Sequence, residues 1–475
     1  MAKATGESPK RQYCEKQGLD QVERGTTLEP QHSQTKGWAR YRYRIYPNAL
    51  QQEMLARLFE CVRLVFNDFL AANDAHVKVG PRRQYRNNFA LSPSLIAQAK
   101  NRPERACLKE VPAAPLQQAL ADGHQAYRNA FDSATGKRKG EKIHFPKFKS
   151  RKDNRQTARF TRNTCFAVRP ISSNRAMLRL PRMGDIDVVY TRDLPSEPTS
   201  VTIIREADGR YHASFVVTRE TTSLPPLDRV AGLDLGLIHL ATIVYSDGTR
   251  EKIPAPQHFR KRERKLARVQ RLAARQKERA KRAKVREAAA VKEGRATATE
   301  PTPTGHRSNA HERARRKVAS AHRKVRDARS DFHHKLADRI VHENQVICLE
   351  TLNITGLART RLAKSIHDAG WGALIRLIEE KAARYGRTVI RIDRATPTSQ
   401  TCSVCGINGG KKSLNVRAWG CSACGAWLDR DYNAAVNIIV AAGHAEMLNA
   451  GGEDIRLRLS EATPQRNPKQ RISVP

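Results

Sequence analysis

Apolar and polar positions first alternate strictly along Arg40-Tyr41-Arg42-Tyr43-Arg44-Ile45-Tyr46, the two-residue period of a strand. One face of this strand is all arginine, and the other packs Tyr41, Tyr43 and Tyr46 or its neighbours. Pro47 ends it, because proline has no N–H to give to a ladder. The period then lengthens. Leu55, Leu58, Phe59, Val62, Val65 and Phe66 recur at helical spacing over 49–73, and Leu116, Leu120, Tyr127 and Phe131 do so over 114–134. Gly80-Pro81 marks a loop between them. These stripes read as the core of a small helical bundle and carry no chemistry.

Residues 140–227 read as mostly strand. The segments 201–204 and 211–217 flank Asp208-Gly209, a hairpin turn signal. Before them, Phe145-Pro146-Lys147-Phe148-Lys149-Ser150-Arg151-Lys152 interleaves aromatic and basic side chains. Such a segment can stack bases and hold a backbone, or it is a solvated loop anchored by two buried phenylalanines. Two further runs are apolar without alternation, as in a strand covered on both faces: 230–236 and 346–350, the first followed closely by another strand at 239–245 and an Asp247-Gly248 turn. Between these runs lie two thin apolar stripes in Arg/Lys-rich sequence. Leu266, Val269 and Leu272 form one; Val318, Val325, Phe332, Leu336 and Ile340 form the other. With a Thr-, Ala- and Pro-rich link over 294–305, they predict a long antiparallel helical hairpin. The polar ends, 1–36 and from Gly443 on, read as disordered tails.

Charge changes this picture most. Among 475 residues, 87 Lys+Arg stand against 47 Asp+Glu, a formal net charge of +40. A chain so charged repels itself unless a polyanion neutralises it. Nucleic acid is the first candidate, since phosphate contacts release counterions and supply affinity without reading sequence. An anionic membrane surface is the other. No run of about 18 apolar residues is present to span a bilayer, and the N-terminus lacks the apolar core of a signal peptide. The expectation is a soluble, cytoplasmic protein, nucleoid-associated when bound to DNA. On this charge, both the arginine strand face and the hairpin are expected to face phosphate.

Nine cysteines are present. Cys14, Cys61, Cys107, Cys165 and Cys348 are scattered, whereas Cys402-x2-Cys405 and Cys421-x2-Cys424 form two tight pairs. That spacing places four thiolates tetrahedrally on Zn²⁺. Gly406 and Gly425 follow the second cysteine of each pair and supply the permissive backbone a knuckle needs. Four protein ligands close the shell, so this zinc is expected to be structural.

Three acids ask for a joint explanation. Asp234 lies within an apolar strand and Glu350 ends another, where burying a carboxylate is costly unless it is paired or metal-bound. Asp429 and Asp431 open a helical segment, where either can serve as an ordinary cap. Two strands and a helix, each delivering one carboxylate, can hold two Mg²⁺ ions that clamp the attacking and leaving oxygens of a phosphodiester. No Ser-His-Asp arrangement or P-loop competes with them.

GLDLG around Asp234, VICLETLNITGL around Glu350 and LDRDYNAAVNI around Asp431 resemble the RuvC nuclease domain of the transposon-encoded TnpB proteins and their descendants, the compact type V CRISPR effectors. The resemblance continues through 369–386, the TSQTCSVCG entry to the cysteine pairs, Arg42 to Pro47, residues 60–67 and FPKFKSRK, in the same order from about 38 to 455. It implies Asp234, Glu350 and Asp431 as the catalytic, Mg²⁺-binding acids, with Asp431 preferred over Asp429. It also implies a multidomain α+β fold: an RNase H-like RuvC nuclease domain (228–395 and 426–442, with the basic hairpin over 256–345) carrying an inserted zinc ribbon (396–425). A β-barrel wedge domain (37–47 and 140–227) with a helical recognition insertion (48–139) would precede it, and a tail over 443–475 would follow. The family binds a structured guide RNA, pairs its guide with double-stranded target DNA and reads only a short flanking motif. A RuvC site would hydrolyse the DNA with Mg²⁺, leaving 3′-hydroxyls. An RNA-guided binder that does not cut, a guide-free transposase-type DNA-binding protein and an RNA-binding protein with a vestigial nuclease fold are the alternatives. Cleavage, binding by RNA-free protein and Mg²⁺ dependence separate them. Monomer and homodimer are both open, as are the guide, the flanking motif and the choice between transposon and CRISPR origin.

Overall fold

The computed structural model describes residues 36–79, 85–138, 140–151, 153, 155–292, 309–413 and 415–449. Residues 1–35 and 450–475 of the tails expected over 1–36 and from Gly443, the Gly80-Pro81 loop, the link at 294–305 and Cys14 lie outside these residues, and Lys36 begins a strand. Part of the expected C-terminal tail is ordered, since Ala445–Asn449 form a 3-10 turn.

Strand β1 (Lys36–Tyr46) leads into helix α1 (Ala49–Val79), the short helix α2 (Asn88–Ser92) and helix α3 (Ala113–Ala134). Six strands follow: β2 (Gln156–Thr161), β3 (Ala167–Ser172), β4 (Arg175–Leu180), β5 (Gly184–Val189), β6 (Ser200–Arg205) and β7 (Tyr211–Glu220). In the described residues these make one seven-stranded sheet, ordered β2-β6-β7-β1-β5-β4-β3. The strict alternation of β1 decides its faces: Tyr41, Tyr43 and Ile45 are buried, and the arginines point the other way. Tyr46 goes with the arginines, against the expectation that it packs with Tyr41 and Tyr43. It is 56 % exposed, and the Arg44 guanidinium lies 5.1 Å from its ring centre. A second difference concerns 140–155, which contain no strand among the described residues. There Phe145 and Phe148 are both exposed and not buried anchors, although Phe145 meets the edge of Phe131. Helices α1 and α3 share one apolar core with the sheet, in which Leu55, Leu116, Tyr43 and Phe215 all take part.

The second sheet is mixed. It comprises β8 (Val230–Asp234), β9 (His239–Tyr245), β10 (Arg250–Pro254), β11 (Val346–Glu350) and, after the helices below, β12 (Thr388–Ile392), in the order β10-β9-β8-β11-β12. Between β10 and β11 run α4 (His258–Lys292) and α5 (Asn309–Glu343), the predicted hairpin. Three helices, α6 (Ile354–Leu357), α7 (Ala363–Ala369) and α8 (Trp371–Tyr385), precede β12. A two-stranded ribbon, β13 (Ala418–Gly420) and β14 (Trp427–Asp429), then leads into α9 (Arg430–Ala441). The hairpin also reaches the first sheet, where Arg323 Nε near the middle of α5 donates to Asp208 Oδ2 of the β6–β7 turn at 2.6 Å.

Strand β8 is apolar up to its last residue, Asp234, because it is covered on both faces. Ala231 and Leu233 join a core with Leu336 and Ile340 of α5 and Leu374 and Ile378 of α8. Val230 on the opposite face joins Cys348, Ile438 and Ile439. Gly232, between them, lets α9 lie directly on the strand. A Cβ built there would sit 2.3 Å from the Ala435 carbonyl oxygen and 2.5 Å from Ile439 Cγ1. Because the first of these is backbone, α9 would have to move. Gly232→Ala is therefore expected to destabilise the fold by about 1–3 kcal/mol, the usual cost of overpacking. Urea unfolding measures this, and an unchanged midpoint would contradict the contact.

Candidate active site

Asp234 ends β8 and Glu350 ends β11, neighbouring parallel strands in which Gly232 pairs with Cys348 and Leu233 with Leu349. The next step in this register sets the two acids side by side. Val230, Gly232 and Cys348 face α9, so Asp234 and Glu350, each two residues beyond one of these, leave the strand ends on the same side. Two strand residues advance about 6.6 Å, and one helical turn about 5.4 Å. Ala435 lies over Gly232, so the residue one turn earlier on α9, Asp431, is carried toward Asp234. The site thus forms at the carboxyl ends of two parallel strands, where side chains from separate elements meet outside the sheet.

The electrostatics agree with this placement. Burial, then the Glu350 and Asp431 charges, push the Asp234 carboxyl from 3.8 up to about 8, against the opposing pull of Arg430 and Arg417. The residue is half-buried and keeps an edge open to solvent. Asp431 Oδ1 lies 3.7 Å from Arg417 Nη1, and its Oδ2 lies 3.7 Å from His239 Nδ1.

Sequence left both Asp429 and Asp431 open as the cap of α9, and the structure places Asp429 there. Asp429 is the N-cap of α9 and accepts from the Asp431 and Tyr432 amides at 3.1 and 3.0 Å. Its other oxygen accepts from Lys252 Nζ of β10 at 2.6 Å. Burial opposes its ionisation, but the Lys252 hydrogen bond and the helix amides outweigh burial and hold its carboxyl below the usual range. Asp429 is therefore occupied as a cap, and Asp431 in the first turn is left to face the other acids.

Glu350 accepts a hydrogen bond from Thr398 Oγ1. Thr398 itself is buried, and its carbonyl oxygen accepts from Asn433 Nδ2 at 3.2 Å and Asn437 Nδ2 at 2.7 Å. Both amides also donate to the Thr401 carbonyl oxygen, at 2.8 and 2.7 Å, and Asn433 Oδ1 accepts from the Ser403 amide at 2.8 Å.

The next residue after Thr401 is the first of the four cysteines. Cys402, Cys405, Cys421 and Cys424 place their sulfurs all within 4.8 Å of one another, and this group could hold a metal ion. Cys402 and Cys424 sulfurs are 3.7 Å apart, and those of Cys405 and Cys421 are 3.6 Å apart. These separations are far too long for disulfides. They match the edge of about 3.8 Å that a tetrahedron with metal–sulfur bonds of about 2.3 Å requires. The two knuckles repeat one backbone pattern. The Gly406 amide donates to the Cys402 carbonyl and the Gly425 amide to that of Cys421, with φ of 75° and 73° at the two glycines.

Sequence reasoning passed over Thr398, Asn433, Asn437, Lys252 and Arg417. One signal was present for the asparagines: at a spacing of four they share a helix face with buried Ala434 and Ile438 nearby, an unusual place for two amides. Thr398 and Lys252 carried none, because their partners are far away in the chain.

Three family models match the chain: a "Cas12f1-like, TNB domain" over 371–438, a "Probable transposase" over 214–361 and a "Helix-turn-helix domain" over 39–79. The first spans α8, the cysteine ribbon and most of α9, and the last spans most of β1 and all of α1. A Streptomyces pristinaespiralis protein named "Putative RNA-guided DNA endonuclease" is 35 % identical over 435 residues, covering 90 % of this chain and 95 % of that protein. The Escherichia coli K12 protein InsQ, of the same designation, is 27 % identical, covering 86 % and 95 %. In fold, the chain is similar to Cas12f1 in the cryo-EM structure of a Cas12f1-sgRNA-target DNA complex. The TM-score is 0.50 at 13 % identity, and 82 % of each chain is covered. With 35 % identity to the Streptomyces relative over nearly the full length of both chains, and with Asp234, Glu350, the four cysteines and Asp431 falling in order within the two larger family segments, this chain belongs to the TnpB family of IS605-type elements.

Proposed function

We propose that this protein is an RNA-guided endonuclease that hydrolyses target DNA at a Mg²⁺-dependent site made by Asp234, Glu350 and Asp431. The observation that carries this reading is the delivery of carboxylates by β8, β11 and α9 to one end of the sheet, where burial and then the Glu350 and Asp431 charges push the Asp234 carboxyl up to about 8. That donor set fits a hard divalent cation: the ligands are oxygens, and a cation relieves the repulsion that the acids impose on one another. Bound there, Mg²⁺ would polarise the scissile phosphate and supply hydroxide near neutral pH. Hydrolysis breaks the P–O3′ bond and leaves a 3′-hydroxyl. Asp234, Glu350 and Asp431 would hold the ion. Arg417 and Arg430, whose charges already act on the acid cluster, would meet the phosphate of the incoming strand.

The guide RNA and the double-stranded target are proposed as the partners on two grounds. The relatives carry that activity in their names, and a charge of +40 calls for a large polyanion. The exposed Arg and Lys side chains of α4, the outer arm of the hairpin, form part of that surface. Among the described residues no helix is long and apolar enough to cross a membrane, and we place the protein in the cytoplasm, on DNA when guided. The cysteine quartet is proposed to hold structural Zn²⁺.

The test begins with the protein purified from cells carrying its native locus and sequencing of the RNA that comes with it. A discrete RNA with a constant scaffold and a guide is expected, and the complex should cut matching duplex DNA only when Mg²⁺ is present. Tight specific DNA binding by RNA-free protein would instead select the guide-free reading.

A further inference from the structure

Building on the endonuclease reading, we infer that Thr398 is the positioning residue of Glu350, and that the loop carrying it mechanically joins the cysteine ribbon to the acid site. Glu350 stands at a strand end with its side chain directed toward two other carboxylates, and repulsion alone would turn it out to solvent. The Thr398 hydroxyl donates to Glu350 Oε1 and opposes that rotation. It engages one oxygen of the carboxylate and leaves the other for a cation. A hydroxyl is suited to this task because it satisfies the acid without adding a positive charge that would compete with the metal.

The hydroxyl is useful only if its own position is fixed, and the structure fixes it from behind. Thr398, Asn433 and Asn437 are 5, 2 and 7 % exposed, so their polar groups have no water to fall back on. The two asparagine amides span the Thr398 and Thr401 carbonyls. Asn433 also holds the Ser403 amide, immediately beyond Cys402. Asn433 and Asn437, one turn apart on α9, together form the helix face that grips this loop. One buried polar network therefore runs from Glu350 through Thr398 to the residues on either side of the first cysteine of the ribbon. A partly satisfied network of this kind is unstable, so its members act together.

The experiment compares the parent with Thr398→Val, which keeps the shape and removes the hydroxyl, and Thr398→Ser, which keeps the hydroxyl. Thr398→Ala, which only deletes atoms, stands in if the valine variant does not fold. Three quantities are read on guide-loaded complexes: Mn²⁺ binding by electron paramagnetic resonance in the absence of DNA, the Mg²⁺ concentration for half-maximal cleavage, and zinc content. Loss of the hydroxyl is expected to weaken Mn²⁺ binding and raise the Mg²⁺ requirement by about tenfold, the lower end of what such outer hydrogen bonds contribute. Thr398→Ser should restore both, and zinc content should match the parent in every variant. If the parent cuts and Thr398→Val shows parental Mn²⁺ affinity and Mg²⁺ requirement, the inference is overturned and the endonuclease reading stands. A serine variant as defective as valine overturns it too, because packing and not the hydroxyl would then be responsible. A parent complex that cuts at no Mg²⁺ concentration overturns the endonuclease reading and takes this inference with it.

Discussion

Replacing Asp234 by alanine is expected to lower guide-directed DNA cleavage by about 10³-fold, since removing one metal-holding carboxylate forfeits several kcal/mol of transition-state stabilisation at about 1.4 kcal/mol per tenfold. Affinity for guide RNA and target DNA should be unchanged, because it rests on phosphate contacts by a chain of net charge +40 and not on this acid. Single-turnover cleavage alongside filter binding separates the two effects, and cleavage at the parental rate would remove Asp234 from the site. The same substitution has a consequence for stability of opposite sign. The folded-state value of Asp234, about 8, lies above its ordinary 3.8, so the metal-free folded state binds the proton more tightly than the unfolded chain. This group therefore makes metal-free stability fall as pH rises from about 4 to 8. Asp234→Ala should flatten that slope and leave the metal-free protein at least as stable as the parent at neutral pH, as thermal unfolding across that range would register.

Cys402→Ser is the second large effect. Structural zinc contributes on the order of 10 kcal/mol to folding a small module. The ribbon has little else to hold it, for its core consists of Cys402, Trp419 and Cys421 with a few half-buried neighbours. The variant should lose bound zinc, measured by plasma mass spectrometry, and become open to proteolysis within 396–425. Cleavage should fall as well, because Cys402 lies between Thr401 and Ser403, which the asparagines of α9 hold together with Thr398. Full zinc content in the variant would exclude Cys402 from the ligand set.

Both effects concern residues that were legible before any fold was known, whereas the contacts that couple them were not. Asp234 and Glu350 stood out because each interrupts an apolar run, and a short window suffices to see the conflict between a carboxylate and its neighbours. The cysteine quartet stood out for an equally local reason, as each CxxC builds a knuckle from its own backbone. Resemblance preferred Asp431 to Asp429, and the cap geometry at α9 gives a physical reason for the preference: the helix amides and Lys252 already occupy Asp429.

Tyr46 marks where local reading failed. Strict alternation from Tyr41 assigns it to the arginine face, but aromatic character suggested the core, and in the structure alternation prevails. Phe145 and Phe148 could not be settled from sequence at all, since burial in an irregular segment depends on what happens to lie across from it. In the fold they remain exposed.

By itself, then, the sequence determined the helical hairpin, the cysteine pairs and two acids set against apolar runs as candidates, because periodicity, metal spacing and buried charge are properties of neighbouring residues. Only the tertiary structure decided how the acids are held. The Thr398–Glu350 hydrogen bond joins residues 48 positions apart, Lys252 reaches Asp429 across 177, and Gly232 admits the α9 backbone from more than 200 positions away. Such contacts depend on how β8, β11 and α9 stack, and the stacking is a sum over the whole core, which no local pattern encodes.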